Sequence, residues 1–220
     1  MRVKVIIFGL DGVICHTEKY HYLAWKEIAD ELGIPFTEEM NRRFIGMSRM
    51  DSLNELLKGY PGSLSRVEKE VLAEQKNDIF KSCLITMTER DVDPKLRMQL
   101  RQLKQEGYLL AIASSSKNAG IVIKNLGLDS YFDTISDGNS NKKLKPNPEV
   151  FLNICGYLQV KKEECLIVEG TSYGIRAAKK TGMHVAALHP EGEYTMEDMA
   201  GITVLDDLEQ LKRHAAHIYK

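Results

Sequence analysis

The hydrophobic positions fall into two patterns along the chain. Short, nearly unbroken apolar runs occur at residues 3–8, 108–113, 165–168 and 184–188, the lengths and composition of strands buried on both faces of a parallel sheet. Between the later runs, residues 94–106, 117–126 and 173–181 repeat with a helical period, and each of these segments is followed by a glycine, Gly107, Gly127 and Gly182. A glycine there accepts the left-handed backbone that closes a helix. Strands alternating with helices predict an α/β chain with a Rossmann-like, doubly wound parallel sheet.

Between about Thr17 and Thr88 the strand signal disappears. Amphipathic helices take its place, broken near Gly33-Ile34-Pro35 and Gly59-Tyr60-Pro61-Gly62. The chain therefore divides into an α/β core of residues 1–13 and 89–220 and an inserted helical cap of residues 14–88, with hinges expected at 14–17 and 84–88.

Composition narrows the partners. In 220 residues, 30 lysines and arginines nearly cancel 31 aspartates and glutamates, so no global field draws nucleic acid or an anionic membrane, and an anion site has to be local. The apolar start is too short for a signal peptide, and nothing approaches the roughly 18 apolar residues of a membrane span. A cytoplasmic location is expected, and a monomer, since nothing marks an obligate interface. The four cysteines, Cys15, Cys83, Cys155 and Cys165, show neither CxxC nor zinc-type spacing, and read as reduced packing residues. Cys15 lies beside a candidate active loop.

Candidate chemistry sits where the strands end. The first strand runs into Gly9-Leu10-Asp11-Gly12-Val13, placing a carboxylate at the carboxyl end of a central strand, where open α/β sheets bind ligands; alone, Asp-Gly is only a turn. The next strand ends in Ser114-Ser115-Ser116-Lys117-Asn118 at a helix start, where hydroxyls and free N–H groups suit a phosphate. A plain N-cap needs one serine rather than three. Lys145-Pro146-Asn147-Pro148 holds a lysine on a rigid turn, and Glu169-Gly170-Thr171-Ser172 offers a carboxylate at the same sheet edge, either as a metal ligand or as a helix cap.

These segments, in this order, resemble the haloacid dehalogenase superfamily over essentially the whole chain: Asp11-Gly12-Val13 with Thr17, then Ser114, then Lys145-Pro146 with Pro148, then Glu169. The cap segments from Thr17 to Trp25, Gly46-Met47-Ser48-Arg49 and Lys76-Asn77-Asp78, with Ser116-Lys117-Asn118, resemble its β-phosphoglucomutase-like subfamily. The resemblance implies a sugar phosphate as small-molecule partner and Mg²⁺ as cofactor. It implies Asp11 as general acid/base, Ser114, Ser115 and Lys145 on the phosphate, and Asp11 and Glu169 on the metal. His21, Trp25, Arg49, Lys76, Ser116, Lys117 and Asn118 would contact the substrate. Read as bare residues, Trp25 is equally a core residue, His21 a packing or surface histidine, and Arg49 and Lys76 solvated cations.

The pattern is broken at two places. The family's nucleophilic aspartate, which forms an aspartyl phosphate, falls at Gly9, and a metal-binding aspartate falls at Gly170. His16 also replaces a common aspartate. Asp11, two residues beyond Gly9, cannot substitute in an in-line displacement. The resemblance thus implies a scaffold that binds hexose phosphates, with catalysis lost or very weak and Mg²⁺ binding weakened. A slow phosphatase working through Asp11 or a metal-bound water, and a non-catalytic regulatory or interaction protein, remain as alternatives.

Overall fold

The computed structural model describes residues 2–191 and 194–218. Met1, Gly192, Glu193, Tyr219 and Lys220, which the expected core includes, lie outside the described residues.

Strand β1 (Val5–Gly9) is followed by helices α1 (Glu18–Glu31), α2 (Glu38–Arg43), α3 (Arg49–Leu56) and α4 (Arg66–Leu84). After these come α5 (Pro94–Gln105), β2 (Leu109–Ala113), α6 (Ala119–Asn125), β3 (Thr134–Ser136) and α7 (Glu149–Leu158). The chain continues with β4 (Cys165–Thr171), α8 (Ser172–Lys179), β5 (His184–Glu191), α9 (Met196–Met199), β6 (Thr203–Leu205) and α10 (Leu208–His217). The strands form one six-stranded sheet in the order β3-β2-β1-β4-β5-β6, and every pairing is parallel. The α/β fold with a parallel sheet and a helical segment after the first strand is as expected. β1 lies between β2 and β4, so the chain reverses its direction of winding there and leaves a crevice at the carboxyl ends of β1 and β4.

Alternation along β1 divides the core into layers. Ile6 and Phe8 join a cluster with Leu100, Val122 and Leu211, whereas Val5 and Ile7 join Phe151, Ile154 and Ala178 on the opposite face. Neighbouring side chains in a strand point to opposite faces, and burying a large one such as Phe8 or Phe151 contributes roughly 1.5–3 kcal/mol. The helical segment has its own cluster, with Trp25, Ile28, Phe36, Phe44, Leu53 and Leu56. Tyr20, Ala24, Phe80 and Leu84 belong instead to the first sheet cluster and tie α1 and α4 to the core.

Two strands, β3 and β6, were not anticipated; each has three residues, at a sheet edge, with partial exposure that breaks the apolar run. The glycines expected to close helices do so, with φ of +87° at Gly107, +62° at Gly127 and +74° at Gly182. β4 runs past Val168 to Thr171, which corrects the expected position of Glu169: it lies in the strand, not at a helix N-terminus. No helix among the described residues is long and apolar enough to cross a membrane.

Candidate active site

The turn after β1 carries Asp11. Gly12 has φ +75°, a left-handed conformation that glycine adopts without strain, and Ile14 N and Cys15 N close the turn on Leu10 O at 2.9 and 3.2 Å. The Asp11 carboxyl accepts a short hydrogen bond from the Thr17 hydroxyl, so Thr17 stands at the N-cap of α1 without capping it through its side chain. Burial pushes the Asp11 pKa up to about 6 against that hydrogen bond; the charge of Glu18 adds to the rise and that of Lys145 opposes it.

Beside this turn the carboxylate of Glu169, fully buried, is closed on protein groups. It accepts from Lys145 Nζ, from the backbone N–H of Gly170 at 3.2 Å and Thr171 at 3.4 Å, and from the Thr171 hydroxyl at 3.3 Å. Lys145 Nζ also donates to Ala113 O at 2.8 Å. This arrangement depends on small neighbours. A Cβ on Gly9 would stand 2.8 Å from the Glu169 carboxyl carbon and both its oxygens, and one on Gly174 would stand 2.1 Å from Oε2. The carboxylate therefore fills the space that a side chain at position 9 would enter. Gly170 has no room either, since a Cβ there would meet Gly12 O at 2.5 Å.

The loop after β2 is organised differently. Ser114 Oγ accepts from Ser116 N and Ser116 Oγ accepts from Asn118 N, each at 3.1 Å. These bonds pull the backbone into a tight turn before α6, which starts at Ala119, later than expected. Asn118 donates from Nδ2 to Asn77 Oδ1 of α4 at 2.8 Å, bridging core and cap. Ser115 Oγ is buried and has no hydrogen-bond partner among the described residues. The Lys117 side chain is exposed.

The cap supplies the facing wall. His21 and Trp25, four residues apart on α1, share one face, and α4, begun by a capping box between Ser65 and Glu68, presents Lys76 to them. Lys76 Nζ lies 2.7 Å from His21 Nδ1 and 4.7 Å over each of the rings of Trp25 and Phe80. His21 stacks on Phe80 at 4.1 Å. Burial, then the charge of Arg49, lowers the Lys76 pKa to about 7. Burial followed by the charge of Lys76 holds His21 well below the usual histidine range, so its neutral ring accepts a proton of Lys76 at Nδ1. The reading of Lys76 as a solvated cation is corrected by an exposure of 3%. Arg49 is not free either: Nη1 donates to Ala73 O at 3.2 Å and Glu74 Oε1 at 2.8 Å. Trp25 is both a cap-core residue, edge-to-face with Phe44, and part of the wall.

A cavity of about 490 Å³ lies between cap and sheet edge, and Asp11, His21, Trp25, Arg49, Lys76, Lys145 and residues 114–118 all line it. Gly9, Glu169 and Gly170 are not among the residues that line it. Glu18, Asn41 and Thr171 also face it; Glu18 and Thr171 lay within the quoted segments without a role assigned to them, and nothing in the sequence spacing marked Asn41, whereas Thr17 already belonged to the first motif.

The residues present do not fit Mg²⁺, a hard cation that demands near-octahedral oxygen coordination. The oxygens of Glu169 are engaged by Lys145 and by donors of its own strand, and among the described residues no group of three His, Cys, Asp or Glu side chains is placed to hold a metal.

A parallel sheet of this order, with a serine loop, a lysine and two acids at one edge under a helical segment, defines an α/β protein with a cavity at the carboxyl ends of its strands. Residues 6–188 match the sequence profile of haloacid dehalogenase-like hydrolases, and the chain belongs to that family. Within it, the chain is 38% identical over 183 residues to the β-phosphoglucomutase of Bacillus subtilis, across 82% of this chain and 81% of that one. It is 30% identical to a phosphorylated carbohydrates phosphatase of Thermotoga maritima, across 82% of each. The crystal structure of β-phosphoglucomutase from Clostridium difficile superposes with a TM-score of 0.87 at 33% identity, across 99% of this chain and 98% of that one. The expected superfamily and its β-phosphoglucomutase-like subfamily are thus borne out.

Proposed function

We propose that the protein binds a hexose phosphate in the cavity beneath the cap, with its phosphoryl group on the loop after β2, and that phosphoryl transfer is lost or very weak. The observation that carries this reading is the contrast at the sheet edge. The buried Ser115 hydroxyl lacks a partner among the described residues, whereas the space at Gly9 is filled by a carboxylate already bound to Lys145. An aspartyl phosphate requires a carboxylate oxygen in line with phosphorus. Position 9 has none, and Asp11, two residues beyond it, is held by Thr17. Lys76, Arg49 and His21 supply the polar cap wall, and closure over the ligand would exclude water.

Isothermal titration with glucose 6-phosphate and β-glucose 1-phosphate, each with and without Mg²⁺, tests this. Binding of either ligand, unchanged by the metal and without mutase turnover, is the expected result. No binding under any condition overturns it.

One observation favours a second reading, slow phosphomonoester hydrolysis. Asp11 faces the cavity with a pKa of about 6, so at neutral pH its carboxylate is ionised and able to take a proton from an attacking water. A phosphatase rate left unchanged by Asp11→Asn eliminates that reading.

A further inference from the structure

We infer that Glu18 and Asn41 read the hydroxyl groups of the bound sugar and so set the preference for a polyol phosphate over a bare phosphate. This rests on the binding reading above and adds residues to which the family resemblance gave no role.

Asn41 is 4% exposed. Its Nδ2 donates to the backbone carbonyl of Glu18 at 3.0 Å, which fixes the orientation of the amide. Its Oδ1 is buried and receives no hydrogen bond from the described residues. The same holds for Glu18 Oε1, whose nearest ring nitrogen, His16 Nδ1, stands 3.6 Å away, beyond hydrogen-bond range. Native structures rarely leave a buried acceptor without a donor, so such an atom marks a missing partner.

Both residues line the cavity that Ser115 lines. Ser115 offers a hydroxyl that lacks an acceptor, while Glu18 and Asn41 offer acceptors that lack donors. A sugar phosphate supplies the complement at each end, with phosphoryl oxygens for the serine loop and ring hydroxyls for the acid and the amide. Inorganic phosphate supplies only the first.

The structural alternative is that Glu18 merely places a favourable negative charge at the N-terminus of α1. Calorimetry on the intact wild-type protein and on Glu18→Ala, Glu18→Gln and Asn41→Ala separates the two, using glucose 6-phosphate and inorganic phosphate as ligands. Glu18→Ala is expected to weaken glucose 6-phosphate about tenfold, the usual scale for a hydrogen bond to a charged group, and to leave inorganic phosphate within about twofold. Glu18→Gln, which keeps one acceptor oxygen, should fall between, and Asn41→Ala should act in the same sense. Equal losses for both ligands, or an unchanged ratio, overturn the assignment while leaving the binding reading intact. If the wild-type protein binds neither ligand, the binding reading fails and the assignment falls with it.

Discussion

The loop after β2 and the paired ends of β1 and β4 stand at the same sheet edge, yet they treat their polar groups in opposite ways. After β2, serine hydroxyls organise the backbone and one hydroxyl, that of Ser115, is left over. At β1 and β4 Glu169 and Lys145 satisfy one another, and the absence of a side chain at Gly9 provides the room. An unused donor is what an incoming anion would require, whereas a pair closed on itself contributes to stability. The same edge therefore holds both an unsatisfied hydroxyl and a buried ion pair closed on itself.

The largest test of this contrast is to unseal the pair. Glu169→Ala leaves the Lys145 ammonium in a buried site with only the Ala113 carbonyl, and should cost ~3–5 kcal/mol in urea denaturation, the usual penalty for stranding one member of a buried ion pair. The double change of Glu169→Leu with Lys145→Met should recover most of that loss. A cost below about 1 kcal/mol for Glu169→Ala would mean that water reaches Lys145 and the pair is not sealed.

Next in size is the difference between the two glycines. An aspartate at position 170 drives its Cβ against the backbone oxygen of Gly12 at 2.5 Å, whereas at position 9 the obstacle is the end of the Glu169 side chain rather than backbone. Gly170→Asp should therefore exceed the ~1–3 kcal/mol typical of overpacking, and Gly9→Asp should cost less, with Glu169 swinging aside as the new carboxylate takes Lys145. The reverse order of stabilities in thermal melts would show that Glu169 is locked in place.

This contrast explains how far the sequence alone could be read. Strands buried on both faces leave unbroken apolar runs, so β1, β2, β4 and β5 were legible; β3 and β6, short and half-exposed edges, were not. Motif order placed Asp11, the serine loop and Lys145 around one pocket, because each follows a strand of the same sheet. Pairing was illegible. Nothing in the local sequence states that Lys145 and Glu169, 24 residues apart, meet each other, since that depends on absent volume at Gly9 and Gly174. Lys76 likewise reads as solvated until α1 and α4 are packed and its amine is found against Trp25 and Phe80.

A smaller effect should follow from the open side of the contrast. Ser115→Ala removes the unused hydroxyl and should weaken glucose 6-phosphate and inorganic phosphate alike by about tenfold. Unfolding free energy should move by less than about 0.5 kcal/mol, because no partner within the protein is lost. A stability loss without an affinity loss would make Ser115 a structural residue.

The smallest expected effect is a dependence on pH that the serine loop cannot produce, because its hydroxyls do not titrate. Asp11 gains its negative charge as pH rises through about 6, and Lys76 loses its positive charge as pH rises through about 7. Both changes make the cavity less welcoming to an anion, so affinity should fall with rising pH. Phosphate esters change their own charge in the same range, with a second pKa near 6, which makes sulfate the cleaner probe. Sulfate affinity measured from pH 5.5 to 8.5 should decline by about two- to fivefold and less at high salt, as expected of screened charges. Asp11→Asn should remove the lower part of that decline and leave the part near pH 7. A profile that Asp11→Asn leaves unaltered would place Asp11 outside the reach of the bound anion and leave the cap lysine as the group that senses it, and one that rises with pH would exclude both groups.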